Sequence, residues 1–116
     1  MQPAADVVYR DLDASQALND IISKKLEKLS RFSHHIQRSR VVLDSPHKHK
    51  HKGKRYRASI ELDLKGAPVT VSQDDTSIHI AVREAFNAAE RKLKEMAARR
   101  RSARHQPEPA DTDQPD

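Results

Sequence analysis

The chain has 116 residues, of which 35% are hydrophobic and 34% charged, and its formal net charge at pH 7 is +5. This length allows one domain with a modest core plus a tail, and the absence of cysteine excludes disulfides and thiolate metal sites. No apolar run is long enough to span a bilayer, and the N-terminus lacks the basic and apolar segments of a signal peptide. We therefore expect a soluble, cytoplasmic protein without a membrane partner.

Positive charge is concentrated in the first part of the chain. From Ser102 onward there are one arginine and four acidic residues, a net of −3, which leaves +8 for residues 1–101. We predict a folded basic domain over 1–101 and a disordered, acidic, proline-containing tail over 102–116. A domain of this charge favours a polyanionic partner, because each neutralised phosphate releases counterions and so adds affinity.

The N-terminal half predicts a strand, a helix and a second strand. Residues 7–9 are a short β-prone run. A helix over 15–32 follows, with Ser15 as its N-cap, because apolar residues recur there at helical spacing. The second strand covers 39–43. The apolar stripe of the helix consists of Leu18, Ile21, Ile22, Leu26, Leu29 and Phe32.

The C-terminal half predicts a hairpin followed by a helix. Residues 56–64 alternate between apolar and polar, as in a strand with one buried face. Lys65-Gly66 makes the turn, and 67–72 is the return strand, which Pro68 indicates begins at a sheet edge. A helix over 78–101 completes the domain. Its buried stripe consists of Ile78, Val82, Ala85, Phe86, Ala89, Leu93 and Met96.

The element order is β-α-β-β-β-α. Alternating strands need one face covered, and the two amphipathic helices supply two apolar stripes. The sequence therefore predicts an α+β fold in which a four-stranded sheet carries both helices on one face, similar to double-stranded RNA-binding domains.

The candidate RNA-binding residues are lysines and arginines on exposed faces of these elements and in the loop before the third strand. On the first helix only Asp20 and Glu27 lie near enough to neutralise them. A solvated helix face, and intrahelical pairs such as Glu90–Lys94, are the alternative interpretation of the helical cations. The candidate set is Lys24, Lys25, Lys28, Arg31, Lys52, Lys54, Arg55, Arg57, Arg83, Arg91, Lys92 and Lys94.

The same loop contains three alternating histidines, His47, His49 and His51. Imidazoles on a loop can bind zinc or nickel, but structural zinc sites use four fixed ligands, and the interleaved lysines repel a cation. A phosphate-contacting loop that gains charge as pH falls toward about 6.5 is the favoured interpretation. We expect no evolved metal site and no cofactor.

Catalysis has little support in the sequence. There are two glycines and no cysteine, so a glycine-rich phosphate loop and a thiol nucleophile are absent. The carboxylate pair Asp74-Asp75 stands where a helix begins and is typical of capping. We expect neither an enzyme nor a small-molecule substrate.

These elements resemble the ribosome hibernation-promoting factor family, which includes ribosome-associated inhibitor A and was once labelled a sigma-54 modulation protein. The similarity spans residues 7 to about 95. The first helix carries it in Ser15-x-Ala17-Leu18 and Lys25-Leu26-x-Lys28-Leu29-x-Arg31-Phe32, and the second strand in Arg40-Val41-Val42-Leu43. The second helix is similar to the family pattern Asp-x-Tyr-x-Ala-Ile, then Leu-Glu-Arg-Gln-Leu. The matching positions are Ser77, His79, Ala81 and Val82, then Ala89, Glu90, Arg91, Lys92 and Leu93.

The resemblance implies a translation inhibitor and stress-response factor that binds the small ribosomal subunit. It would occupy the channel of messenger RNA and transfer RNA, and be monomeric off the ribosome. It also implies that Lys25, Lys28, Arg31 and Arg91 contact ribosomal RNA phosphates. His79 departs from the family tyrosine, and the second domain of longer members is not present in the chain. The alternatives are a general structured-RNA-binding protein without ribosome preference and a metal-binding protein that uses the histidine tract.

Overall fold

The structure, a computed structural model, describes residues 4–33, 35–45, 55–65 and 67–105, with side chains assigned for 5–33, 35–45, 55–65 and 67–99. The element order confirms the predicted β-α-β-β-β-α arrangement. The elements are β1 (Ala4–Arg10), α1 (Gln16–Phe32), β2 (Ile36–Asp44), β3 (Tyr56–Leu64), β4 (Ala67–Asp75) and α2 (Ile78–His105).

The four strands form one sheet in the order β1-β2-β3-β4. β1 pairs with β2 in parallel, which requires a crossover, and α1 supplies it. The pairs β2–β3 and β3–β4 are antiparallel. The expected edge position of β4 is confirmed, and Pro68, whose nitrogen cannot donate, lies at its second position.

Three strands are longer than the sequence patterns predicted. β1 extends from Ala4 to Arg10 because all of these residues pair with β2. β2 begins at Ile36, and its register with β3 shifts between Ile36 and Arg38. β4 continues to Asp75, since its polar end pairs with the start of β3. Cross-strand pairing therefore extends strands through residues whose composition alone indicates a turn.

Both helices begin at serine caps. Ser15 is the N-cap of α1, as predicted, and its hydroxyl accepts a hydrogen bond from the backbone N–H of Leu18 at 3.2 Å. The hydroxyl of Ser77 accepts from the N–H of Ile80 at 3.3 Å in the same way at the start of α2. α2 continues past the predicted end at residue 101 to His105.

The hydrophobic core lies between the sheet and the two helices. The inward residues of β3 are those the alternation predicted, and Ala58 and Ile60 have no exposed surface. Ile22 of α1 and Val82 of α2 belong to the same buried cluster. Both helices therefore cover one face of the sheet, as expected. Burial of each large aliphatic side chain contributes about 1.5–3 kcal/mol.

One residue of the predicted buried stripe departs from this pattern. Phe32, the last residue of α1, is 40% exposed and is the one large hydrophobic side chain exposed among the described residues. The helical spacing is correct, but α1 ends there and the chain turns away into β2, so no element covers the outer side of the ring.

The opposite side of the sheet is open to solvent, and we call it the open sheet face. Its side chains alternate in sign across the strands. Arg10, Asp44, Arg57 and Asp74 form one cross-strand row, and Asp6, Arg40, Glu61 and Thr70 form another.

Candidate nucleic-acid interface

The predicted RNA-binding residues are divided among several surfaces. The candidates on the helices share the helical layer, Arg57 lies on the open sheet face, and Arg55 is exposed just before β3. Lys52 and Lys54, like the histidine tract, lie outside the described residues. We call the exposed outer side of the helical layer the helical face. Its cations are Lys24, Lys25, Lys28, Arg31, Arg83, Arg91 and Lys94, all of which are exposed except Lys25, which is half-buried.

The two helices run side by side in the same direction. Lys28 of α1 lies 3.8 Å from the Glu90 carboxylate of α2. One turn further along both helices, the Lys94 ammonium of α2 lies 5.1 Å from the ring centroid of Phe32 in α1. The two contacts are one helical turn apart in both helices, so the helices are in register. The cations of α1 on this side therefore lie beside those of α2. The fold thus brings together charges that are more than sixty residues apart in the sequence.

Glu90 is the carboxylate at the centre of this contact. It accepts Lys94 at 3.1 Å, one turn along α2, as well as Lys28 across the helix boundary. Its side chain is 24% exposed, whereas those of Lys28 and Lys94 are more than half exposed. Glu90 therefore holds two lysines in position while their ammonium groups remain accessible to a ligand.

The remaining cations of the helical face are either weakly paired or unpaired. Arg31 lies 3.8 Å from Glu27, and Arg83 lies 3.4 Å from Glu84. Exposed pairs of this kind contribute little to stability, about 0–1 kcal/mol, so they are readily exchanged for a phosphate. Within the described parts of the chain, the structure gives no ion pair for Lys24, Lys25 or Arg91.

Lys92 is separated from this face. It lies over the edge of the sheet, where it lines a depression with Pro68, Val69, Met96 and Arg99. Lys92 and Lys94 are adjacent in the predicted set, but residues two positions apart point to nearly opposite sides of a helix. The helical cations therefore form one principal face and one flank.

Arg57 is held by a neighbouring strand. Its Nε donates to Asp74 Oδ1 at 2.8 Å, and its terminal nitrogen donates to Oδ2 at 3.2 Å. This two-point contact raises the pKa of Arg57 above its ordinary value, first through the hydrogen bond and then through the charge of Asp74. To contact a phosphate, Arg57 has to leave or share this partner.

The two faces differ in charge. On the helical face, seven cations face five carboxylates, Asp20, Glu27, Glu84, Glu90 and Glu95. The open sheet face carries four arginines and five carboxylates among its described residues: Arg10, Arg38, Arg40 and Arg57, with Asp6, Asp44, Glu61, Asp63 and Asp74. Excess positive charge is therefore found on the helical side of the described domain.

Sequence reasoning missed two features of this site. The pairing of Glu90 with Lys94 is visible from their spacing, but its second partner, Lys28, is on another helix. The exposure of Phe32 was also missed, although its place at the end of the helix was a signal.

In the described segments there is no cluster of metal-ligating side chains and no helix long and apolar enough to cross a membrane.

The sheet is mixed and four-stranded, two parallel helices cover one of its faces, and cations are concentrated on the helical side. These features define a small basic α+β domain. The sequence pattern of the family described as Sigma 54 modulation protein / S30EA ribosomal protein matches residues 5–101. The chain therefore belongs to this family, which confirms the resemblance seen in the helix and strand motifs. Membership also confirms that it is a ribosome-associated protein and not an enzyme.

Two solved structures have the same fold. The N-terminal domain of Protein Y from Thermus thermophilus is 29% identical with a TM-score of 0.68, and the match covers 83% of this chain and 99% of that one. A ribosomal subunit interface protein from Coxiella burnetii is 16% identical with a TM-score of 0.67, and the match covers 82% and 98% respectively. The second likeness concerns the fold alone. No curated protein sequence matches this chain.

Proposed function

We propose that this protein is a cytoplasmic hibernation factor that inhibits translation by occupying the decoding channel of the small ribosomal subunit. The single observation that carries the proposal is the concentration of positive charge on the helical face. Family membership supports association with the ribosome, and the charge supports the helical face as the side that contacts ribosomal RNA.

The protein would inhibit translation by competing with transfer RNA and messenger RNA for the same space. Lysines and arginines of the helical face bridge ribosomal RNA phosphates, and the domain fills space that transfer RNA and messenger RNA need. Phosphate contacts position a protein without reading base sequence, so the shape of the cleft supplies the specificity. Lys92 remains a proposed contact at the flank of this surface. Arg55 and Arg57 remain proposed contacts away from it, Arg57 on the open sheet face.

Sedimentation of the full chain with purified small subunits tests the proposed location. We expect the protein to co-migrate with small subunits and to be displaced by excess transfer RNA together with messenger RNA. Co-migration that these ligands do not affect would place the binding site outside the channel. Equal binding to unrelated structured RNA would favour the general RNA-binding alternative.

Charge reversal tests the helical face. The variant Lys28→Glu, Arg31→Glu and Arg91→Glu should abolish inhibition of in vitro translation, because repulsion replaces three proposed phosphate contacts. Thermal stability should change little, since all three side chains are exposed.

A matched pair of variants controls for net charge. Lys28, Arg31 and Arg91 are replaced by glutamine in one, and Arg10, Arg38 and Arg40 of the open sheet face in the other. Both lose three positive charges, but only the first should lose inhibition. Equal loss in the two variants would mean that total charge, and not the helical face, governs binding.

A further inference from the structure

Phe32 is an exposed aromatic side chain inside the cationic helical face. Its 40% exposure contrasts with the other described aromatic residues, since Phe86 is buried and Tyr9 and Tyr56 are half-buried. Leaving a phenyl ring in water forfeits part of the stabilisation that burial gives it. The ring therefore has surface available for a ligand.

The ring forms one wall of a notch of about 120 Å³ where α1 ends beside α2. The other walls include Leu64, Leu93 and Met96, with Ser33 and His35 at the rim. The lining of the notch therefore combines aliphatic and polar side chains beside the Phe32 ring.

Cations surround this ring. The Lys94 ammonium lies 5.1 Å from the ring centroid. Lys28 precedes Phe32 by one helical turn on the same side of α1, and Arg31 is its direct neighbour with a side chain that is 73% exposed. A nucleotide in an RNA chain complements this combination. Its base has an apolar face that can stack on the phenyl ring, and the phosphates on either side of it are anionic.

We propose that Phe32 stacks on one unstacked base of ribosomal RNA, while Lys94 and Arg31 contact the phosphates that flank this base. The inference rests on the proposed function and deepens it, because it names a contact that charge alone does not supply. Single-stranded RNA is recognised by aromatic stacking combined with a basic surface. The Lys94 ammonium lies over one side of the ring and is paired with Glu90, so it has to leave or share these partners to contact a phosphate beside a stacked base.

Phe32→Trp provides a direct reporter, since the chain has no tryptophan. An indole at position 32 should bind at least as well as the phenyl ring, and its fluorescence should be quenched when small subunits are added. Thr70→Trp is the matched control, because Thr70 is exposed on β4 of the open sheet face and its indole should keep its emission.

Affinity measurements provide the second test. Phe32→Leu keeps an apolar side chain but removes the aromatic face, and should weaken binding to small subunits by roughly 5- to 100-fold. Phe32→Tyr keeps that face and should bind like the parent protein. Unfolding in urea is followed for both variants, so that a loss of folded protein is not mistaken for a loss of stacking.

The outcomes separate the two proposals. Quenching at position 32 alone, with weaker binding of Phe32→Leu, supports stacking. Co-sedimentation without quenching, or equal affinity of the leucine and tyrosine variants, overturns stacking and leaves the proposed function intact. If the parent protein does not bind small subunits, both proposals fail.

Discussion

At the scale of single residues, Tyr9 links the first strand to the first helix. Its hydroxyl lies 3.0 Å from the carbonyl oxygen of Ser15 and 2.9 Å from Oδ1 of Asn19, and it donates to one or the other. Because Ser15 is also the N-cap of α1, this contact fixes the start of the helix against β1.

Tyr9→Phe removes this hydrogen bond and keeps the packing of the ring. We expect the free energy of unfolding to fall by about 0.5–1.5 kcal/mol, measured by urea denaturation. Tyr56→Phe is the control, since the structure gives the Tyr56 hydroxyl no hydrogen bond among the described residues, and it should change stability less. Equal effects of the two substitutions would contradict this assignment.

Glu90 illustrates how a carboxylate can organise a basic surface. It holds Lys28 and Lys94, and both lysines belong to the predicted RNA-binding set. Its negative charge also repels an incoming phosphate. Removing this charge should therefore change both the affinity for RNA and the stability of the domain, and the two can be measured separately.

Glu90→Gln should strengthen RNA binding at low salt, because it frees two ammonium groups and adds one unit of net positive charge. The dependence of affinity on salt should steepen by about 0.7–0.9 log units per log unit of salt for each additional phosphate that the protein neutralises. Stability should fall by less than about 1 kcal/mol, since the pairs are exposed. Glu95→Gln, on the exposed side of the same helix, makes the same charge change. If it affects affinity as much as Glu90→Gln, release of the two lysines is not the cause.

At the scale of elements, α2 shows how one cap determines where a helix begins. The Ser77 hydroxyl accepts from the N–H of Ile80, and Oδ1 of Asp75 accepts from the N–H of Ser77 at 3.0 Å. Serine stands here in place of the aspartate of the family pattern, and its hydroxyl performs the capping.

Substitutions at Ser77 should therefore follow capping preference. Ser77→Ala should destabilise the domain by about 1 kcal/mol. Ser77→Asp should preserve or slightly raise stability, because a carboxylate also interacts favourably with the helix dipole, by about 0.3–1 kcal/mol. Chemical denaturation measures both, and a Ser77→Ala variant as stable as the parent would show that the cap contributes nothing.

The elements were predictable to different degrees. β3 was predicted with its observed bounds because it is central, with neighbours on both sides and a strict alternation. The polar end of β4 was interpreted as a turn, since its pairing with β3 depends on a residue register that no local window contains. Phe32 was assigned to the buried stripe because periodicity cannot show where covering elements end.

At the scale of the whole molecule, charge is distributed asymmetrically between two faces. The rows of the open sheet face alternate in sign, so its field largely cancels at a distance, whereas the helical face has an excess of cations. Such an asymmetry orients a protein as it approaches a polyanion.

Arg91 and Arg57 test this asymmetry, because one lies on each face. Arg91→Gln should weaken binding to small subunits more than Arg57→Gln does, since Arg91 is unpaired in the described structure while Arg57 has to give up Asp74. Affinity measured over a range of salt concentrations compares them. A larger loss from Arg57→Gln would assign the open sheet face to the interface instead.

The sequence alone determined the element order, the inward residues of the long β3 strand and the basic character of the domain. These follow from local periodicity and composition, which each segment carries by itself. Only the tertiary structure decided that Glu90 joins Lys28 to Lys94, that Arg57 faces Asp74 and that Phe32 stays exposed. Each of these depends on distances between residues far apart in the chain, and those distances are fixed by how the helices and strands pack against one another.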